Sequence, residues 1–154
     1  MSERTWPDLA GVIETDENGR THILPVRVYF EDTDFSGVVY HASYVRWCER
    51  GRSDFLRLLG NSHDALIAGS DGKDAAAFVV RRMALEFHKP ARIDDVLTVE
   101  TRVQEVGAAT LTLDQTIRRG STNLFEARVL VVLVSISGKP QRLSQRIRES
   151  LDAE

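Results

Sequence analysis

The stretch YFEDTDFSGVVYHASYVRWCERGR, residues 29–52, decides how the chain is read. An apolar strand runs out into three carboxylates, Glu31, Asp32 and Asp34. Gly37 supplies a turn, and His41 then stands at the mouth of a long helix. A carboxylate aimed at a helix N-terminus suits attack on a polarised carbonyl. The carboxylate supplies the base or nucleophile, and the unpaired N–H groups of the first turn hold the oxyanion.

Upstream, residues 23–31 (ILPVRVYFE) alternate as a strand does, with Val26, Val28 and Phe30 on one side and Arg27, Tyr29 and Glu31 on the other. Pro25 sits near the strand start, where a missing N–H is tolerated. Residues 1–22 are polar, lack periodicity and hold the turn-like Asp16-Glu17-Asn18-Gly19, so they read as a flexible or loosely docked extension. Trp6 is a weaker candidate for a docking anchor than for part of a mobile tail.

Downstream, the period becomes helical from Ala42 to Leu59. Tyr44, Val45, Cys48, Phe55, Leu58 and Leu59 share one broad face, with Ser43 as the expected N-cap and Gly60 just past the end. Gly51 lies beside that face at a cost of roughly 1 kcal/mol against Ala, which close packing on a sheet explains. Residues 60–75 are turn-rich, with one helical turn expected around 64–67. Four strand-like segments follow, at 76–88, 96–106, 110–118 and 124–136, and residues 143–151 suit a short helix. The last strand is apolar on both faces, Val129, Val131 and Leu133 on one and Leu130, Val132 and Val134 on the other. A strand of that kind is covered on both sides. One helix covers one side, so a subunit interface is expected on the other.

The order strand, long helix, four-stranded meander predicts an α+β fold. One domain over 23–154 carries a curved antiparallel five-stranded sheet wrapped around a central helix. With 154 residues a single domain is expected, and the net charge of −3 argues against a nucleic-acid surface. Cys48 is the single cysteine, which excludes an intrachain disulfide and fits a reducing compartment. The N-terminus lacks an apolar signal core, and the longest apolar run, 129–134, is too short to cross a bilayer. A cytoplasmic protein is expected, with room for peripheral membrane contact.

Metal chemistry finds little support. Asp32 to Gly37 imitates the first half of a calcium loop, but its twelfth position is Ser43 where Glu is required. His22, His41, His63 and His88 lack ligand spacing. No metal and no cofactor are expected. Cys48 on the helix's apolar side reads as a buried small hydrophobe. Asp34, taken alone, reads as a turn residue before it reads as a catalytic one.

Two blocks carry a family likeness: VRVYFEDTDFSGVVYHASYVRWCERGR (26–52) and FVVRRMALEFHKPARIDDVLTVET (78–101). Together they resemble the hotdog-fold acyl-CoA thioesterases, most closely the 4-hydroxybenzoyl-CoA thioesterase branch and its YbgC subfamily, which is linked to the Tol-Pal system. The likeness spans roughly 24–137; residues 1–22 fall outside it, and the stretch around Gly69 to Asp74 is longer than usual. The resemblance implies metal-free hydrolysis of a CoA thioester by a homodimer or homotetramer. It makes Asp34 the catalytic carboxylate and the His41 N–H, next to Tyr40 and after the Gly37 turn, the group that polarises the thioester carbonyl. The His41 side chain is implicated as well. A tyrosine expected just before Glu31 is replaced by Phe30, so any role of that phenol is lost, or Tyr29 supplies it from the opposite strand face, which the alternation of adjacent strand residues disfavours.

The likeness also places the backbone near Val79, Val80 and Arg81 along the acyl pocket. Arg82 or Lys89 suits CoA phosphates, with ordinary sheet-surface charge as the equal alternative. A thiol leaving group, with a pKa of about 8.5, needs little acid catalysis. Asp34 then attacks directly, giving a mixed anhydride, or deprotonates a water. Two other functions fit the same residues: a non-catalytic acyl-thioester-binding scaffold at the inner membrane, and an enoyl-CoA hydratase of the same fold.

Overall fold

In the computed structural model, residues 9–68 and 75–152 are described; Trp6 and the long stretch at 69–74 lie outside them. The elements are β1 (Val12–Asp16), β2 (Gly19–Arg27), α1 (His41–Leu58), α2 (His63–Ala68), β3 (Ala76–Phe87), β4 (Val96–Val106), β5 (Thr110–Arg119), β6 (Thr122–Ser135) and α3 (Gln145–Asp152). A single turn of 3-10 helix, Phe30–Asp32, lies between β2 and α1. The strands form one antiparallel sheet in the order β1-β2-β4-β5-β6-β3.

Alternation builds the core. Leu97 and Val99 of β4, Leu111, Leu113 and Ile117 of β5, and Phe125, Val129 and Leu133 of β6 point to one face and are buried there. Against them α1 sets Tyr44, Trp47, Cys48 and Phe55. Gly51 is the point of closest approach: a Cβ there would lie 2.9 Å from Val99 Cγ1, 3.1 Å from Thr101 Oγ1 and 3.2 Å from Gln115 Nε2. The mid-helix glycine is therefore a packing requirement, as its place on the apolar face predicts.

Four expectations change. The sheet has six strands, because the turn at Asp16–Gly19 joins a real hairpin, β1 to β2, across residues read as a loose extension. The four later strands are not a simple meander. β4, β5 and β6 follow one another, but β2 sits beside β4, and β3 pairs with β6 at the far edge. The first expected strand ends at Arg27, and the chain turns into the 3-10 helix, so Tyr29 and Phe30 do not sit on opposite faces of a strand. Both are exposed, Phe30 at 82%. Helix α1 begins at His41, one residue before the expected start, and Tyr40 takes the cap position given to Ser43. Gly60 has the positive φ of 85° that a helix terminus favours. No helix among the described residues is long and apolar enough to cross a membrane.

Candidate active site

The segment between β2 and α1 is a closed loop, and its backbone explains how a carboxylate is brought to the helix mouth. Asp32 is the hub. Its buried carboxylate accepts the Tyr29 N–H at 2.8 Å, which fixes the 3-10 turn. Its carbonyl accepts the Tyr40 N–H at 2.8 Å and the Ser43 hydroxyl at 3.2 Å, which ties the turn to the start of α1. Glu31 is exposed, and Arg27 donates to the Asp94 carbonyl at 2.9 Å. Asp34 N–H donates to the Val38 carbonyl at 3.2 Å, and Thr33 bridges Val39, closing the loop on itself. Gly37 turns it with a φ of 85°, a left-handed conformation that glycine adopts without strain.

Asp34 at the loop tip is exposed. Its Oδ1 accepts both the N–H and the hydroxyl of Ser36. The Ser36 hydroxyl and then its N–H hold the Asp34 carboxyl below its ordinary value, and the charge of His41 acts in the same direction. Asp34 is thus both a turn residue and an ionised carboxylate; among the described residues its Oδ2 takes no donor.

His41 opens α1, and no side chain caps the helix at Tyr40. The first N–H groups of an 18-residue helix with its dipole therefore face the loop. The His41 ring lies 4.4 Å from the Tyr40 ring, tilted, and 6.5 Å edge-on from Phe87. Beside it is a pocket of about 260 Å³ lined by Val39, His41, Tyr44, Phe87, His88, Lys89 and Pro90. The structure thus brings Asp34, Gly37, Tyr40, His41 and Lys89 to one end of the molecule.

The remaining expected site residues stand elsewhere on the same chain. Val79, Val80, Arg81 and Arg82 are exposed on β3, with a bulge between Val80 and Arg82. They lie five to eight residues along the strand from Phe87 at the pocket, roughly 17–26 Å. Cys48 is buried on the sheet-facing side of α1, and burial pushes its thiol up to about 12, which argues against a nucleophile.

Sequence reasoning missed Tyr44 and Ala91 as parts of the site. Tyr44 reads as a core aromatic, and its ring does stack on Phe125 at 5.1 Å. Its hydroxyl also accepts the Ala91 N–H at 2.9 Å. The Lys89-Pro90 break marked a turn there, but nothing local shows that the turn would return to α1.

Known proteins resemble the chain over most of its length. The thioesterase superfamily model matches residues 36–126. The acyl-CoA thioester hydrolase YbgC of Escherichia coli O6:H1 is 45% identical over 125 residues, 80% of this chain and 90% of that protein. The acyl-CoA thioesterase YbgC of Haemophilus influenzae is 42% identical over 113 residues, 73% and 80% of the two chains. A probable thioesterase of Bartonella henselae superimposes with a TM-score of 0.77 at 44% identity, over 80% of this chain and 99% of that one.

Proposed function

We infer that this chain, which belongs to the thioesterase superfamily and to its YbgC branch, hydrolyses an acyl-CoA thioester to free acid and CoA with Asp34 as nucleophile or general base. The observation that carries the reading of the site is one juxtaposition. A carboxylate whose Oδ2 takes no donor among the described residues is held by its own loop just before the uncapped N-terminus of α1, within electrostatic reach of His41. The thioester carbonyl oxygen takes the His41 N–H, and the helix dipole favours the charge that develops on it. The CoA thiolate leaves unaided. Neither route through Asp34, anhydride or activated water, needs a metal or cofactor.

Lys89 at the pocket rim suits a CoA phosphate. Val79 to Arg82 reach the site through a second copy. β3 is an edge strand of 12 residues, with Val79 44% and Val80 46% exposed. An exposed apolar edge of this length is a template for pairing. An antiparallel two-fold pairing about Met83 sets Val79 of one copy opposite Phe87 of the other, at the pocket. The homo-oligomer, dimer or tetramer, is thus part of the proposed active site. A reducing cytoplasm fits the lone buried thiol. Peripheral contact with the membrane face belongs to the proposal only through the family likeness.

The test is thiol release from a panel of acyl-CoAs, short aliphatic to long and aromatic. Turnover on at least one, reduced roughly 10²–10⁴-fold in a folded Asp34→Ala protein, is expected. Full turnover in that variant would remove Asp34 from the mechanism. Acyl-CoA binding without any release would leave a scaffold.

A further inference from the structure

We propose that Tyr44 is a positioning residue for the proposed hydrolysis, acting through Ala91 and Val39 to hold the Asp34 loop at the mouth of α1. The inference rests on the thioesterase reading of that site. Tyr44 lies one turn inside α1, on the face buried against the sheet. Its hydroxyl accepts the N–H of Ala91 at 2.9 Å, and Ala91 is fully buried. The carbonyl of the same Ala91 accepts the N–H of Val39 at 2.9 Å, and Val38 forms the neighbouring bridge to Arg92. Val38 and Val39 in turn close the acid loop, through Val38 O to Asp34 N–H and through the Thr33–Val39 bridge.

The chain of contacts therefore runs from the α1 side chain to one peptide unit, and from there to the loop that carries the carboxylate. Two further contacts make the anchor stiff. The Tyr44 ring is wedged between Phe125, stacked at 5.1 Å, and Phe87 and Trp47, edge-on at 5.8 and 5.5 Å. Arg119 ties the same turn from the other side, to the Pro90 carbonyl at 3.3 Å and to Asp95 at 2.9 Å. Asp95 accepts the Arg92 N–H at 2.9 Å. With the phenol in place, loop and helix mouth move as one body. Without it, a buried N–H loses its acceptor, and the 88–92 turn is free to shift away from α1.

Tyr44→Phe removes one oxygen and keeps the ring packing. The expected result is a fall in kcat of roughly ten- to a hundredfold, since a displacement near 1 Å costs about that much, with KM changed less than about twofold. Amide exchange at Val39 and Ala91 should quicken in the same variant. Leu111→Ala, a buried change on β5 away from the site, gives a comparably destabilised control whose kcat per folded molecule stays at the wild-type level. Unchanged Val39 exchange in Tyr44→Phe would overturn the clamp with or without turnover. Quickened exchange with kcat unchanged, below the unfolding transition, would reduce Tyr44 to a packing residue and overturn the inference alone. Wild-type protein that releases no thiol from any acyl-CoA would instead overturn the thioesterase reading on which the inference rests.

Discussion

At the scale of single residues, the site depends on how an exposed aspartate is kept ionised and aimed. Ser36 does both: its hydroxyl and N–H bond Oδ1, fix the carboxylate on its own loop, and hold it below its ordinary value of 3.8. The sign follows from which form works. In the proposed mechanism the ionised form is the active one, so activity should persist as pH falls toward 3.8 and be lost only below it. Ser36→Ala removes the hydroxyl bond, the strongest cause, and leaves the N–H bond to Oδ1 in place. Its Asp34 should titrate closer to 3.8, and the acid limb of kcat/KM should move up with it. A carbon-detected NMR titration of the Asp34 carboxyl checks this directly, and an unmoved titration would mean Ser36 only shapes the turn. This level of the site was legible in the sequence because Asp34 and His41 are seven residues apart, and a strand-turn-helix reading brings them together. Tyr44 and Ala91 are 47 apart. Their contact depends on how the turn after β3 folds back on α1, and no local pattern carries that.

Among the elements, the long helix and the four later strands were legible because burial writes period 3.6 or period 2 into the residues. The β1–β2 hairpin was not. β1 is short and almost wholly exposed, so it has no alternation to read. What fixes it is tertiary. His22 is 0% exposed, with its Nε2 2.6 Å from Asp54 Oδ2, and Asp54 also accepts the Gly11 N–H at 2.8 Å and Arg57 at 2.6 Å. Asp54→Ala should therefore cost about 3–5 kcal/mol in denaturant unfolding, because a buried imidazole and a backbone N–H lose their partner. Burial opposes ionisation of Asp54, but the bonds from Gly11, His22 and Arg57 outweigh it and hold its carboxyl below 3.8. That stabilisation is complete above 3.8 and fades as pH falls below it. Gly51→Ala tests the packing of α1 in the opposite sense to helix propensity. Alanine gains roughly 1 kcal/mol as a helix former. Its Cβ meets Val99 at 2.9 Å, so a net loss of about 1–3 kcal/mol is expected. A stabilised variant would mean that the sheet yields.

For the whole molecule, the two edges of the sheet are unlike. β1 is five residues long and presents Glu14 and Asp16, the short charged edge that resists pairing. β3 has 12 residues, and its centre presents Val79 and Val80 to solvent. The apolar character of β6 led the sequence reading to a subunit interface on the open sheet face. In the structure Val132 is already buried, Leu130 and Val134 are half-buried, and the longer unpaired apolar surface is the β3 edge. That edge also carries Val79 to Arg82, which one chain alone leaves far from His41. The proposed association through β3 would cover that edge and bring these residues to the proposed site, so oligomer and activity should fail together. Val80→Asp places a charge within the proposed seam, at a side chain that is 46% exposed. In sedimentation it should shift the particle from a multiple of 17.3 kDa to that mass. Turnover should fall roughly a hundredfold, with the far-ultraviolet dichroism of the fold retained. A wild-type chain that sediments at monomer mass while fully active would refute the shared site. A Val80→Asp protein that remains assembled would move the seam off β3.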